Sequence, residues 1–187
     1  MTTLILIRHG VTDWNLEGRY SGQSDVPLNT QGREQALAVS TRLEGETIDA
    51  IYSSDLMRAR QTAETLIRNR SVPLYLDPRL REIHQGDWEG MLFAEIQARY
   101  AEAWKTRKND PLSVAPPGGE TVGKLRQRVL AAIRDILQAH PQGTVAVVSH
   151  GLSLAIIRAH IASVPIEKVW DYIPSNAHPE WFMVEKL

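Results

Sequence analysis

The chain contains no cysteine, and that absence removes disulfide staples, thiolate metal sites and a cysteine nucleophile together. An excess of one charge is missing too. Lys and Arg number 21 against 22 Asp and Glu, for a net charge of −1, so nothing marks out a surface for nucleic acid or an anionic membrane. No long apolar run exists either. The longest uncharged stretch, Ile136 to Ile157, carries His140, Pro141, Gln142, Gly143, Ser149 and His150, which is incompatible with a membrane span. The first apolar run has no basic segment ahead of it and is too short for a secretory signal, so a cytoplasmic protein is expected. Repeats, low-complexity tracts and linkers are absent. With 187 residues, 43% hydrophobic and 23% charged, the chain is expected to form one domain over residues 1–187.

What is present begins with Leu4-Ile5-Leu6-Ile7-Arg8-His9-Gly10. The apolar run reads as a buried strand that stops at a basic pair and a glycine. A strand covered on both faces has no room for charge, so Arg8 and His9 belong at its carboxyl end. Gly10 allows a sharp turn and a close approach there. Ligands bind at that edge of open α/β sheets. Taken alone, however, the stretch is better read as a solvated arginine beside a capped loop histidine.

The rest of the chain alternates strand and helix. Val11 to Asn29 reads as a long polar loop. Thr30 is expected to cap a helix to Leu43, with Ala36, Leu37, Ser40 and Leu43 inward. Strands are expected at Ile48–Ser53, Pro73–Asp77 and Thr144–Ser149, with an edge strand at Trp181–Glu185. Helices are expected at Leu56–Asn69, Phe93–Lys108, from Thr121 to Leu137, and at Leu152–Ile161. This order predicts an α/β fold: a three-layer domain with a mostly parallel central sheet flanked by helices. Val148-Ser149-His150-Gly151 repeats the ending of the first strand, so both histidines fall on one rim of one sheet.

Arg58 lies in the first turn of its helix, where a cation opposes the macrodipole unless an anion arrives. Arg8, Arg58 and the two histidines thus form a positive pocket suited to phosphate, which guanidinium groups grip bidentately. A neutral histidine ring is nucleophilic and can carry a covalent intermediate. Glu82, among Leu80, Ile83 and Trp88, is a candidate proton source for a leaving oxygen, its apolar neighbours favouring the protonated form. From composition and spacing this is one scheme among several.

The ordered set of motifs carries more. Arg8-His9-Gly10-Val11-Thr12-Asp13-Trp14-Asn15, then Gly22-Gln23-Ser24-Asp25-Val26-Pro27-Leu28, Ser53-Ser54-Asp55-Leu56-Met57-Arg58-Ala59, Glu82 before Gly86-Asp87-Trp88-Glu89-Gly90, Pro117-Gly118-Gly119-Glu120, and Ser149-His150-Gly151 closely resemble the histidine phosphatase superfamily in its phosphoglycerate-mutase-like branch. The resemblance implies that His9 is a nucleophile forming phosphohistidine. It implies that Arg8, Arg58 and His150 hold phosphoryl oxygens with help from Asn15, and that Glu82 is proton donor and then base. Ser21, Gly22 and Gln23 fall at the family's substrate contacts, and Gly151 is grouped with them. The resemblance implies that no metal is needed, and no metal-ligand spacing is visible here. No cofactor is expected for a phosphatase, whereas the family's mutases are cofactor-dependent.

Three functions remain to be weighed. A metal-independent phosphomonoesterase acting on small phosphorylated metabolites is favoured. A phosphoglycerate mutase would need a longer segment after the acid to exclude water, and the interval from Gly90 to Pro117 is short; its Arg99, Lys105, Arg107 and Lys108 read as a solvated helix face. A non-catalytic module binding phosphorylated proteins or metabolites fits less well, because every candidate catalytic residue is present. His84 is balanced between substrate contact and loop. Trp104, Trp170 and Trp181 are assigned to packing or to the contact of a homodimer. The physiological substrate is not specified by the sequence.

Overall fold

The structure is a computed structural model that describes residues 1–68 and 70–185. Among these residues five strands form one sheet in the order β3-β2-β4-β1-β5. They are β1 (Thr2–Arg8), β2 (Ala50–Ser53), β3 (Leu74–Leu76), β4 (Thr144–Ser149) and β5 (Pro179–Val184). All neighbours run parallel except β5, which pairs antiparallel with β1 at the edge. The expected mostly parallel sheet is present.

Strict alternation along the central strands builds a layer on each face. Leu4 and Leu6 of β1, with Val145 and Val147 of β4, pack against helices α6 (Val122–Ala139) and α7 (Gly151–Ile161). Ile5 and Ile7, with Ala146 and Val148, face α2 (Thr30–Arg42) and α3 (Met57–Ile67). Both faces being covered, the strands must be apolar throughout, which is why charge waits until Arg8.

Several boundaries differ from expectation for local reasons. The polar loop after β1 contains a short helix, α1 (Asp13–Glu17), because Thr12 and Asn15 form a reciprocal capping box. Asn29, not Thr30, caps α2 by accepting from Gly32 N at 2.8 Å. The helix buries Gly32, Ala36, Val39 and, at its end, Leu43, the i, i+4, i+7, i+11 row, so Ala36 and Leu43 face inward as expected while Leu37 is 48% exposed. The helix expected over Phe93–Lys108 is broken at Tyr100 into α4 (Phe93–Arg99) and α5 (Ala101–Asn109). Asn69, the expected end of α3, lies outside the described residues. No described helix is long and apolar enough to cross a membrane.

Candidate active site

Strand register creates the site. Arg8 of β1 lies opposite Ser149 of β4, and His9 N donates to Ser149 O at 3.0 Å. His9 and His150 therefore leave the sheet side by side, with ring centroids 5.1 Å apart. Gly10 is required by a close approach: a Cβ there would sit 2.4 Å from Gly32 O of α2.

His9 is 3% exposed, and its Nδ1 lies 2.7 Å from Gly10 O. That carbonyl can only accept, so Nδ1 carries the proton and Nε2 holds the free lone pair. Burial holds the ring well below the ordinary histidine range, reinforced by the charges of Arg58 and Arg8 and opposed by the Gly10 hydrogen bond. Asn176 Nδ2 donates to His9 O at 2.8 Å, and Gly10 N donates to Thr62 Oγ1 at 3.2 Å. The imidazole is neutral, fixed in one tautomer and anchored on both sides.

Arg58, 1% exposed, reaches back from α3 over the strand ends. It donates to Gly22 O and Ser24 O at 2.8 Å and to His150 Nδ1 at 3.2 Å. Desolvation lowers its pKa to about 10, against the raising influence of Glu82, Asp25 and Glu89. Arg8 donates to Pro174 O at 2.9 Å, and its Nε has no protein partner. Burial lowers its pKa, with Glu82 acting oppositely. Among the described residues neither arginine has a carboxylate at ion-pair distance. One buried and one half-buried cation without counter-ions form an anion site in waiting.

A cavity of about 320 Å³ opens over these groups, and Arg8, His9, Asn15, Ser21, Gly22 and Arg58 line one end of it. Glu82 is its only carboxyl group among the described residues, and Gly151 and Leu152 also line it. The Ser21 hydroxyl is buried without a partner. Gly22 is held at φ +50°, and a Cβ there would meet Glu89 Oε1 at 2.1 Å, so the loop closes onto a carboxylate with no side chain between.

Glu82 is not in an apolar slot. Although Leu80, Ile83 and Trp88 are buried, its carboxylate accepts from Ile83 N at 2.9 Å and Leu152 N at 3.0 Å, with the Ser153 hydroxyl, whose proton goes to Arg81 O, 3.3 Å away. It thereby caps the start of α7, where His150 offers no side-chain cap.

The remaining expected residues are placed less directly. Gln23 does not line the cavity; its amide donates to Glu82 O at 3.1 Å, and its backbone N donates to Glu89 Oε1 at 2.8 Å. His150 is fully buried behind His9, with Nδ1 accepting from Arg58 and Nε2 2.8 Å from Ser54 Oγ. Burial, then the Arg58 charge, holds His150 well below its ordinary range. Its contact with the phosphate end runs through Arg58 and the His9 ring. His84 lies outside the cavity, with Nδ1 3.0 Å from Gly118 O.

Sequence reasoning overlooked the clamp behind Glu82. Arg128 of α6 donates to the carbonyls of Arg79, Arg81 and Glu82 at 2.6–2.8 Å and forms a 2.8 Å ion pair with Glu120. Glu120 of the Pro-Gly-Gly-Glu segment thus does more than precede a helix. Ser149 and Ser153 donate to Leu80 O and Arg81 O, and Arg81 pairs with Asp55 at 2.5 Å. Neither Arg128 nor Asp55 is distinguishable by spacing from any surface charge. Arg107 was also misread: it is 6% exposed, over the ring of Trp88.

Comparison with known proteins follows the same lines. The family model of the histidine phosphatase superfamily (branch 1) matches residues 4–185. The chain is 33% identical to phosphoserine phosphatase 1 of Hydrogenobacter thermophilus, over 95% of this chain and 84% of that protein. It is 37% identical to probable phosphoglycerate mutase GpmB of Escherichia fergusonii, over 88% of this chain and 77% of that one. The crystal structure of the alpha-ribazole phosphatase from Shigella flexneri superposes with a TM-score of 0.90 at 31% identity, covering 96% of this chain and 89% of that chain. On sequence and fold alike, this chain belongs to the histidine phosphatase superfamily.

Proposed function

We propose that the chain is a phosphomonoesterase that hydrolyses small phosphorylated metabolites through a phosphohistidine at His9. One observation carries the reading: a neutral, tautomer-fixed imidazole stands beside two guanidinium groups, Arg58 buried and Arg8 half-buried, that lack counter-ions. The phosphoryl group binds with its oxygens on Arg8 and Arg58, and with Asn15 and the Ser21 hydroxyl beside it. His9 Nε2 attacks phosphorus as the bond to the ester oxygen breaks, and Glu82 delivers the proton that makes the leaving group a neutral alcohol. Glu82, now ionised, takes a proton from water as that water attacks phosphorus and the P–N bond breaks. Ester and water become alcohol and phosphate. The loose phosphoryl transition state needs charge and position above all, and the guanidinium pair supplies both.

Hydrolysis is preferred to mutase chemistry because the segment beyond Glu82 forms only the short helices α4 and α5, a small cover against water. A phosphate-release screen over metabolite monoesters, run beside a phosphoglycerate isomerisation assay, tests this. Inorganic phosphate with little isomerisation is expected. Efficient interconversion of the two phosphoglycerates would make the chain a mutase instead.

A further inference from the structure

A second cavity, of about 350 Å³, adjoins the first and shares Tyr20, Gln85 and Trp170 with it as common wall. Its further lining includes Trp104, Arg107 and Lys108, so it is aromatic with a cationic end. Each cavity alone is near the lower edge of the ~300–1,000 Å³ that drug-sized ligands occupy. A three-carbon phosphoacid needs only the first.

Polar atoms left without partners fall along both. Among the described residues they are Arg8 Nε and Ser21 Oγ at the phosphate end, Gln85 Oε1 on the common wall, Nε and a terminal nitrogen of Arg107 at the far end, and Trp88 Nε1. All but the last belong to residues lining one cavity or both. Arg107 rests on the Trp88 ring at 5.4 Å, but a cation–π contact uses the face of the guanidinium and leaves its N–H edge unsatisfied. No carboxylate lies at ion-pair distance from it among the described residues. Desolvation accordingly lowers its pKa. A purely structural arginine would be expected to recover its buried donors within the protein. Here they stay unpartnered in the wall of an apolar space.

We infer that the two cavities are one bipartite site, for a phosphomonoester whose alcohol portion is flat and largely apolar and ends in an anionic oxygen group met by Arg107. The phosphate sits over His9. A donor on the alcohol portion, a hydroxyl or N–H, meets Gln85 Oε1. The flat portion lies along Tyr20, Trp104 and Trp170, where aromatic faces favour stacking. This deepens the phosphatase reading and rests on it.

The test uses aryl phosphates that carry, at increasing reach, a carboxylate, a phosphonate or an uncharged carboxamide. For the native chain, kcat/KM for the better anionic probe should exceed that for the carboxamide by about tenfold or more, as hydrogen bonds to a charged group imply. Carboxylate and phosphonate preferences distinguish the two anions. In Arg107→Met the ratio should fall towards one, and in Arg107→Lys, which keeps the charge without the fork, it should be intermediate. Both rates come from one preparation, so the ratio is independent of the folded fraction. If Arg107→Met yields no folded protein, the Lys variant decides, and an unchanged ratio there overturns the inference. A native ratio near one with good turnover of every probe also overturns it and leaves the phosphatase reading intact. No turnover of any probe strikes the phosphatase reading itself, and the inference falls with it.

Discussion

The two ends of the catalytic cavity are built by different means. At the phosphate end, Arg8, His9 and His150 are fixed by strand register, and Arg58 by the helix that follows β2, so their positions follow from the sheet itself. At the leaving-group end, Glu82 sits in an irregular segment between two short 3₁₀ turns, Pro78–Leu80 and Gly86–Trp88. No ladder holds it. It is pinned by side chains from afar: Arg128, Ser149, Ser153 and Gln23, each donating to a carbonyl of residues 79–82. The contrast separates a rigid charge template, suited to phosphoryl transfer, from the proposed proton donor, placed through a network that a single change can loosen.

The first way to sharpen that contrast is through the leaving group. Glu82→Gln should lower kcat/KM, which reports the steps up to phosphoryl transfer onto His9, by about 10²–10⁴-fold for alkyl phosphates, the range for general acid catalysis, and much less for p-nitrophenyl phosphate, whose leaving oxygen needs no proton. Equal losses on both would remove Glu82 from the acid role. Arg58→Met acts at the opposite end and should cost about 10²–10³-fold, as for loss of one preorganised charge donor, with the same factor for both substrates. Inhibition by inorganic phosphate should weaken in parallel. A leaving-group-dependent loss at Arg58 would dissolve the distinction between the two ends.

Arg128→Lys keeps a charge but not the fork that grips three carbonyls. It should reproduce the Glu82 pattern in weaker form, up to about 10²-fold on alkyl phosphates, as for a misplaced catalytic group. If steady-state rates fall equally for alkyl and p-nitrophenyl phosphates, Arg128 merely supports the fold. The smallest effect is on stability. His9 and His150 both have folded pKa values depressed below the unfolded value near 6.5. Below that pH the unfolded chain binds protons that the folded chain refuses. Their favourable contribution is therefore complete above about pH 6.5 and is lost as pH falls beneath it, by up to about 1.4 kcal/mol per pH unit for each ring. Urea unfolding between pH 7 and pH 5 should show a shallower pH slope in His9→Gln than in the native chain, and matching slopes would refute the assignment.

How much was legible in the sequence follows the same division. Leu4 to Ile7 and Val145 to Val148 announce buried strands because both faces are covered, and their endings at Arg8-His9 and Ser149-His150 mark the rim. Parallel layers and the shared rim of the two histidines are therefore readable from patterning. Glu82 stands out first by its apolar neighbours and then by the family's motif order, but the slot those neighbours suggest is absent: the folded chain supplies two backbone hydrogen-bond donors to its carboxylate. Arg128 and Arg107 were invisible because a helical arginine looks the same whether it faces water or grips a loop; only packing across 46 residues of chain between Glu82 and Arg128 distinguishes them. Leu37 is exposed because the buried row of α2 is Gly32, Ala36, Val39 and Leu43, and Leu37 lies one residue, about 100°, off that row.

The central claim is that His9 carries the phosphoryl group. Rapid quenching of the enzyme with an aryl phosphate, under alkaline conditions that preserve phosphohistidine, followed by peptide mass mapping, addresses it directly. The expected result is one phosphoryl group on the peptide bearing His9, absent from His9→Asn and formed within the first turnover. A phosphoryl group on another residue, or full turnover by His9→Asn, would contradict the account.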